Sequence, residues 1–232
     1  MTIAVLIPVL NEEEALPSLL EGLLPLDFEE IILVDGGSQD RTIDIAQTCI
    51  ETSSHPSCRI ISGAKGRAVQ MNMGAAQATT DILLFLHADT QLPKVAKNSI
   101  EYVMGKSDVV GGRFDVRFPH DHGYAWVVSR MMNVRSRWSG ICTGDQAIFV
   151  RRRVFESMGG FADMPLMEDL EFTRRLKRQG RVVALQEKVT TSFRRWEQQG
   201  PLRTIVRMWT LRFLYWIGWD PKHLHRYYSH VR

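Results

Sequence analysis

Three short, unbroken apolar runs in the first part of the chain limit what it can fold into. Residues 3–9 (IAVLIPV), 31–34 (IILV) and 82–86 (ILLFL) carry no polar side chain. A strand with one face in water alternates polar and apolar residues. Runs without alternation are buried on both faces, as in a parallel sheet covered by helices on each side. Helix-length segments separate them. Residues 11–24 open on Asn11, with Glu14 three positions later as a capping box; 40–51 start at Asp40; and 66–77 place Val69, Met73 and Ala76 on one face. A shorter strand is expected at 59–62. The fold class is therefore α/β, in three α/β/α layers with a mostly parallel central sheet.

Sheets of this kind gather ligands at the carboxyl ends of their strands. Here those ends carry Asn11 and Glu12, then Asp35, then His87 and Asp89, so three polar groups should meet at one rim. The second half reads as strand 109–118, helix 122–138, strand 145–150, helix 152–158, an arginine-rich helix 168–179 and strand 181–185. No repeat, low-complexity tract or linker interrupts it. We expect one domain over 1–200 and a C-terminal helical extension over 201–232.

Composition narrows the function. Apolar residues are 44% and charged residues 24% of the 232 positions, ordinary for a soluble protein. A net charge of +3 is too mild to call for nucleic acid as a partner. Arginines crowd the second half (Arg151, Arg152, Arg153, Arg194, Arg195, Arg203, Arg207, Arg212), which suits a phosphate-bearing ligand or a membrane surface. Cys49, Cys58 and Cys142 lack zinc spacing and read as reduced thiols of a cytoplasmic protein. The first residues have no basic region or cleavage site of a signal peptide. No apolar stretch is long enough for a transmembrane helix.

Six segments occur in a fixed order: IPVLNEEE, LVDGGSQDRT, KGRAVQMNMGAA, LLFLHADT, GDQAIFVRR and MEDLEFTRRLKRQG. The series resembles the motifs of family 2 glycosyltransferases, which have the GT-A fold, over roughly residues 3–196. LHADT and the later RRWEQQGPLRT are similar to a bacterial subgroup associated with radical-SAM and selenodomain proteins.

The resemblance implies transfer of a sugar from a nucleotide-diphospho-sugar donor to a hydroxyl of a small-molecule or lipid-linked acceptor. The nucleotide-binding half would lie at about 1–90 and the acceptor half at about 91–200. Asp35 would accept a hydrogen bond from a pyrimidine N–H, which suits an acceptor-only carboxylate. Pro8, Leu10 and Glu12 would form the opposite wall. Gly66 and Arg67, with Lys65, would meet phosphate or ribose, and Ala88 and Asp145 would line the donor or acceptor side. Asp89 answers to the last aspartate of the DXD motif and would hold a divalent cation, Mn2+ or Mg2+. His87 replaces the first aspartate, as a second ligand, a ribose partner or a packed residue. Glu168 and Asp169 match the family's paired acids, with Asp169 as general base of an inverting transfer.

Each residue also has a plainer reading. Asp35 precedes a Gly36-Gly37 turn, Lys65 suits a solvated turn, and Glu12, Glu168 and Asp169 are favourable in a helix's first turn. Residues 204–219 set Trp209, Trp216 and Trp219 among Arg207 and Arg212. That pattern fits a helix at the inner face of a membrane, or one docked on the domain or on a second subunit. Two other functions stay open: a non-catalytic nucleotide- or phosphate-binding module, and a nucleotidyltransferase, which VLNEEE disfavours by lacking glycine. Neither the sugar, the base nor the acceptor has a readable code; loops 118–138 and 160–167 are expected to select the acceptor.

Overall fold

The structure is a computed structural model that describes residues 1–53 and 57–228. Its strands are β1 (Ile3–Val9), β2 (Glu30–Asp35), β3 (Cys58–Ser62), β4 (Ile82–Phe85), β5 (Thr90–Gln91), β6 (Val109–Arg117), β7 (Ile148–Arg151) and β8 (Arg181–Thr191). Its helices are α1 (Leu16–Leu23), α2 (Thr42–Thr52), α3 (Arg67–Gln77), α4 (Ala96–Met104) and α5 (Gly123–Ser139). They continue as α6 (Arg152–Ser157), α7 (Glu168–Leu176), α8 (Arg194–Gln199), α9 (Pro201–Trp216) and α10 (Pro221–Tyr228).

The strands form one sheet in the order β3-β2-β1-β4-β7-β6-β8-β5. β1 pairs in parallel with β2 and β4, and β2 with β3, as the unbroken apolar runs require. Along β1, Ile3, Val5, Ile7 and Val9 face one apolar layer with α1 and α4, while Ala4 and Leu6 face the other with α3 and α7. The three-layer α/β/α expectation is met.

The second half of the sheet is mixed. β7 lies antiparallel between β4 and β6, and β5 is antiparallel to β8. The expected strand 145–150 begins instead with a 3₁₀ turn at Gly144–Gln146, and β7 starts only after Ala147 in a left-handed conformation (φ 47°). β8 runs on to Thr191, well past the expected 185.

Local starts also differ. α1 begins at Leu16 rather than after Asn11, because Pro17 presets the first turn. Asn11 adopts φ 55° and its side chain accepts the Gln39 N–H at 2.8 Å, so no capping box forms with Glu14. Asp40 does hold the start of α2, accepting the Thr42 N–H at 3.0 Å. On α3 the buried face is Ala68, Met71, Gly74 and Ala75; of the expected Val69, Met73 and Ala76, Met73 packs half-buried against the same core, Val69 is half-buried and Ala76 is exposed. Small residues win because the helix lies close on the sheet: a Cβ at Gly74 would stand 3.1 Å from Val34 Cγ2.

The C-terminal helices dock on the domain. Leu211 of α9 and Leu224 of α10 pack with Leu166 and Met167, while Ile205 packs against the Phe118–Val128–Trp196 cluster. The opposite face of this segment leaves Val206, Trp209, Phe213, Trp216 and Trp219 largely exposed. Residues 229–232 lie outside the described residues.

Candidate active site

The parallel register brings the first strand ends together. Val9 pairs with Asp35, and the buried amide of Gln70 donates to both Val9 O (2.8 Å) and Val34 O (2.7 Å). Pro8, Leu10 and Glu12 therefore share this rim with Asp35, each half-buried. The Asp35 carboxylate is buried and accepts backbone N–H groups from Gly37 (2.9 Å) and Ser38 (3.1 Å). It is thus both the turn residue and, through its remaining lone pairs, an acceptor at the rim. Gly66 precedes α3 with φ 140°, a conformation that suits glycine.

The antiparallel pairing of β4 with β7 builds the next part. Phe85 opposes Ile148, so residues just after β4 meet residues just before β7. Accordingly His87 Nδ1 lies 3.2 Å from Asp145 Oδ1. The imidazole presses on the following turn: a Cβ at Gly144 would be 2.3 Å from His87 Nε2. Only glycine leaves room for the ring. The Gly144 N–H, in turn, donates to Asp169 Oδ2 at 2.8 Å. The buried side chain of Gln146 holds this turn, accepting from Thr143 N (3.2 Å) and donating to Ser136 Oγ (3.0 Å).

The paired acids open α7. Met167, immediately before them, is buried and left-handed (φ 70°), a conformation costing a side-chain-bearing residue about 1–2 kcal/mol. Asn72 clamps the preceding loop through reciprocal bonds with Phe161, Nδ2 donating to its O (2.8 Å) and Oδ1 accepting from its N (2.9 Å). Glu168 is buried and paired with Arg67 Nη1 at 3.4 Å. Asp169 also accepts the Leu170 N–H at 2.7 Å. Burial, and next the neighbouring Glu168 charge, push its carboxyl up from 3.8 to about 6 against the pull of the Gly144 N–H.

A cavity of about 140 Å³ collects Arg67, His87, Asp145, Glu168 and Asp169. Pro8, Leu10, Glu12, Asp35, Gly66, Ala88 and Asp89 do not line it. The expected residues therefore divide between a nucleotide-side rim and a deeper cavity. Of the crowded arginines, Arg151 donates to Met104 O (2.6 Å) and Val109 O (2.8 Å), and Arg194 pairs with Glu14 at 3.0 Å. Arg151 thus ties β7 to the end of α4 and to β6, while Arg194–Glu14 is an exposed surface pair. The side chain of Arg195 lies outside the described residues.

Sequence reasoning missed Arg135, which lines the cavity with Nε and Nη2 buried and without a hydrogen-bond partner among the described residues. Burial lowers its pKa to about 10, with Arg212 adding to the effect and Asp169 opposing it. A signal was present: Val128, Met132 and Arg135 recur at i, i+4 and i+7.

For a divalent cation, no three His, Cys, Asp or Glu side chains among the described residues gather to hold one unaided. Asp89, just past β4, still fits as one ligand. Among the described residues its carboxylate is met only by Thr90 Oγ1 at 3.4 Å, leaving hard oxygen lone pairs free. His87 fits less well, since the Gly144 main chain occupies the approach to Nε2. Bound diphosphate oxygens would have to complete the coordination.

The family model described as "Glycosyl transferase family 2" matches residues 4–159. A relative, "Probable glycosyltransferase YdaM" of Bacillus subtilis (strain 168), is 29% identical over 199 residues, covering 75% of this chain and 46% of the relative. An undecaprenyl-phosphate 4-deoxy-4-formamido-L-arabinose transferase of Pectobacterium carotovorum subsp. carotovorum (strain PC1) is 34% identical over 116 residues, covering 47% of this chain and 36% of its own. The chain thus spans half or less of the length of these relatives. Among solved structures, mannosyltransferase PcManGT from Pyrobaculum calidifontis, in complex with GDP-Man and Mn2+, superposes with a TM-score of 0.67 at 20% identity. That match covers 81% of this chain and 56% of the other, and shows the shared GT-A fold. A matched motif series, a shared fold and a family model spanning more than half of the sequence lead to one conclusion: the chain belongs to glycosyl transferase family 2.

Proposed function

We propose that this glycosyltransferase moves a sugar from a nucleotide-diphosphate donor to an acceptor hydroxyl with inversion at the anomeric carbon, Asp169 acting as general base. One observation carries the reading: a half-buried carboxylate, raised to about 6, lining a cavity with Glu168, Arg67 and His87. A base with a pKa near the working pH is deprotonated yet still basic enough to take a proton. The acceptor oxygen attacks the anomeric carbon from behind while the bond to the diphosphate oxygen breaks. The hydroxyl proton passes to Asp169, and the nucleoside diphosphate leaves with the bonding electrons. The backbone N–H groups of Gly144 and Leu170 hold the carboxylate in place for that transfer.

Asp35, Pro8, Leu10 and Glu12 are assigned to the nucleotide base, Gly66 and Arg67 to the ribose or phosphates, and Ala88 and Asp145 to the sugar side. Arg67 also neutralises Glu168. Asp89 would hold Mg2+ or Mn2+, whose charge stabilises the departing diphosphate. Support for a nucleotide sugar and cation comes from PcManGT, whose structure contains GDP-Man and Mn2+. We divide the chain into a nucleotide half (about 1–90), an acceptor half (about 91–200) and a helical extension (201–232). LHADT and RRWEQQGPLRT assign it to the radical-SAM/selenodomain-associated subgroup.

The acceptor is taken to be small or lipid-linked, reached at the inner face of a membrane, with homo-oligomer formation through 204–219 as the competing use of that face. The exposed tryptophans of this segment support the membrane contact, as does the relative named for undecaprenyl phosphate. Among the described residues no helix is long and apolar enough to cross a bilayer. Asp169→Asn should abolish transfer while leaving nucleotide-sugar binding intact; near-wild-type turnover would overturn the assignment.

A further inference from the structure

The two segments that meet at Asp169 are both strained. The Gly144 N–H donates to Asp169 Oδ2 at 2.8 Å, and its turn leaves through Ala147, fully buried and left-handed (φ 47°). The segment carrying the acid enters through Met167, also buried and left-handed (φ 70°). Among the described residues the other side chains at positive φ are Asn11 and Asp27, types that tolerate it. Strain of the costlier kind therefore falls on either side of the Gly144–Asp169 bond. It persists only where the surroundings over-determine the backbone.

For the turn, those surroundings are a buried chain of hydrogen bonds whose direction is fixed. The Asn133 side chain clamps Val116 of β6, accepting from its N–H at 2.8 Å and donating to its carbonyl at 2.9 Å. The Ser136 hydroxyl donates to the Asn133 carbonyl at 3.1 Å, so it offers a lone pair to Gln146, whose Nε2 donates to it at 3.0 Å. The Thr143 N–H can only donate, so the Gln146 atom that meets it at 3.2 Å is the oxygen. A carboxylate here could not donate to Ser136, and an apolar side chain could not accept from Thr143. The amide of Gln146, with no exposed surface, does both. The next N–H along the chain is that of Gly144, and planar peptide groups pass the placement of one on to the other.

We propose that Gln146 is a positioning residue for sugar transfer: through the Thr143–Gly144 turn it sets where the Asp169 carboxylate stands, tying the base to α5 and β6. Gln146 does not line the cavity and acts through the Gly144 main chain. The role rests on the transfer reading above, in which Asp169 takes the acceptor proton.

The test reads the carboxylate and the reaction separately, on the full chain. Gln146→Met keeps length and burial but removes both amide bonds, and Ser136→Ala removes only the acceptor at the far end; the second carries the test if the first does not fold. Each is denatured with urea between pH 5 and pH 9 beside the same variant bearing Asp169→Asn. The difference isolates Asp169, because the groups that face it (Glu168, Arg67, Arg135, Cys142 and Tyr215) are common to each pair. In the wild type that difference should fall with pH and level off above about pH 6. In Gln146→Met it should level off about one pH unit higher, and in Ser136→Ala by less, as the Gly144 N–H withdraws. Release of nucleoside diphosphate from nucleotide sugars should lose about tenfold in kcat in Gln146→Met with the donor KM unchanged. A profile that levels off as in the wild type, or a loss carried by KM, would overturn the positioning role and place the failure in Gln146. A displaced profile with unaltered kcat would overturn it too, and would place the failure in Asp169 as base.

Discussion

Replacing Asp169 by asparagine changes one atom and separates stability from chemistry. The carboxyl rises from 3.8 to about 6 on folding, chiefly through burial and next through Glu168. At about 1.4 kcal/mol per pH unit, that rise corresponds to roughly 3 kcal/mol. The folded protein holds this proton more tightly than the unfolded chain does. The associated stability is therefore fully present below pH 3.8 and is lost as pH rises through about 6. Asparagine does not titrate, so relative to wild type the variant gains about 3 kcal/mol across this window. Roughly half of that gain falls between pH 5 and pH 8. A pH-independent cost opposes it. The new amide turns donors toward the Gly144 or Leu170 N–H, leaving one unsatisfied at about 1–3 kcal/mol. The diagnostic is therefore the slope with pH, not the offset. Urea denaturation of both proteins at pH 5 and pH 8, followed by tryptophan fluorescence, measures it. Parallel stability profiles would refute the buried, elevated carboxyl. In catalysis, wild-type kcat/KM should fall below about pH 6 as the base protonates.

Other perturbations probe the supports of the site. Gly144→Ala puts a Cβ 2.3 Å from His87 Nε2 and must displace the ring or the turn that holds Asp169, so turnover should drop about 100-fold with circular dichroism unchanged. Unaltered turnover would show that His87, Gly144 and Asp169 are not coupled. Phe172 is fully buried among Phe85, Phe155 and Phe161, so Phe172→Ala should cost about 3–5 kcal/mol in urea denaturation. A loss below about 1 kcal/mol would mean that this cluster collapses around the deletion. The protein should float with anionic liposomes through Trp209, Trp216 and Trp219, and Trp216→Ser should weaken flotation. Retention in the soluble fraction would remove the membrane contact.

The sheet's first half was legible because both-face burial leaves an unmistakable unbroken run, and β1, β2 and β4 lie where those runs are. The rim followed from parallel strand direction alone, so Asp35, His87 and Asp89 could be placed at one end before any contact was known. What could not be read depends on non-local packing. The buried face of α3 is set by how closely Gly74 lets the helix approach Val34 and Leu6, whereas hydropathy puts the exposed Ala76 on the same face as Met73. The antiparallel direction of β7 could not be read, because a short apolar strand carries no mark of direction. Arg135 was not singled out, because its place in the cavity depends on α9 folding back over α5. Gly144 shows its meaning only beside His87, 57 positions earlier in the chain.

The account's central claim is sugar transfer from a nucleotide donor at this rim. Its most direct test is release of nucleoside diphosphate from UDP-, GDP- and dTDP-sugars with Mn2+ or Mg2+, in wild type, Asp89→Ala and Asp35→Ala. We predict turnover on at least one donor, abolished by chelation, sharply reduced in Asp89→Ala and weakened through donor binding in Asp35→Ala. No turnover on any donor, with Asp35-dependent nucleotide binding intact, would contradict the account and leave a nucleotide-binding module in its place.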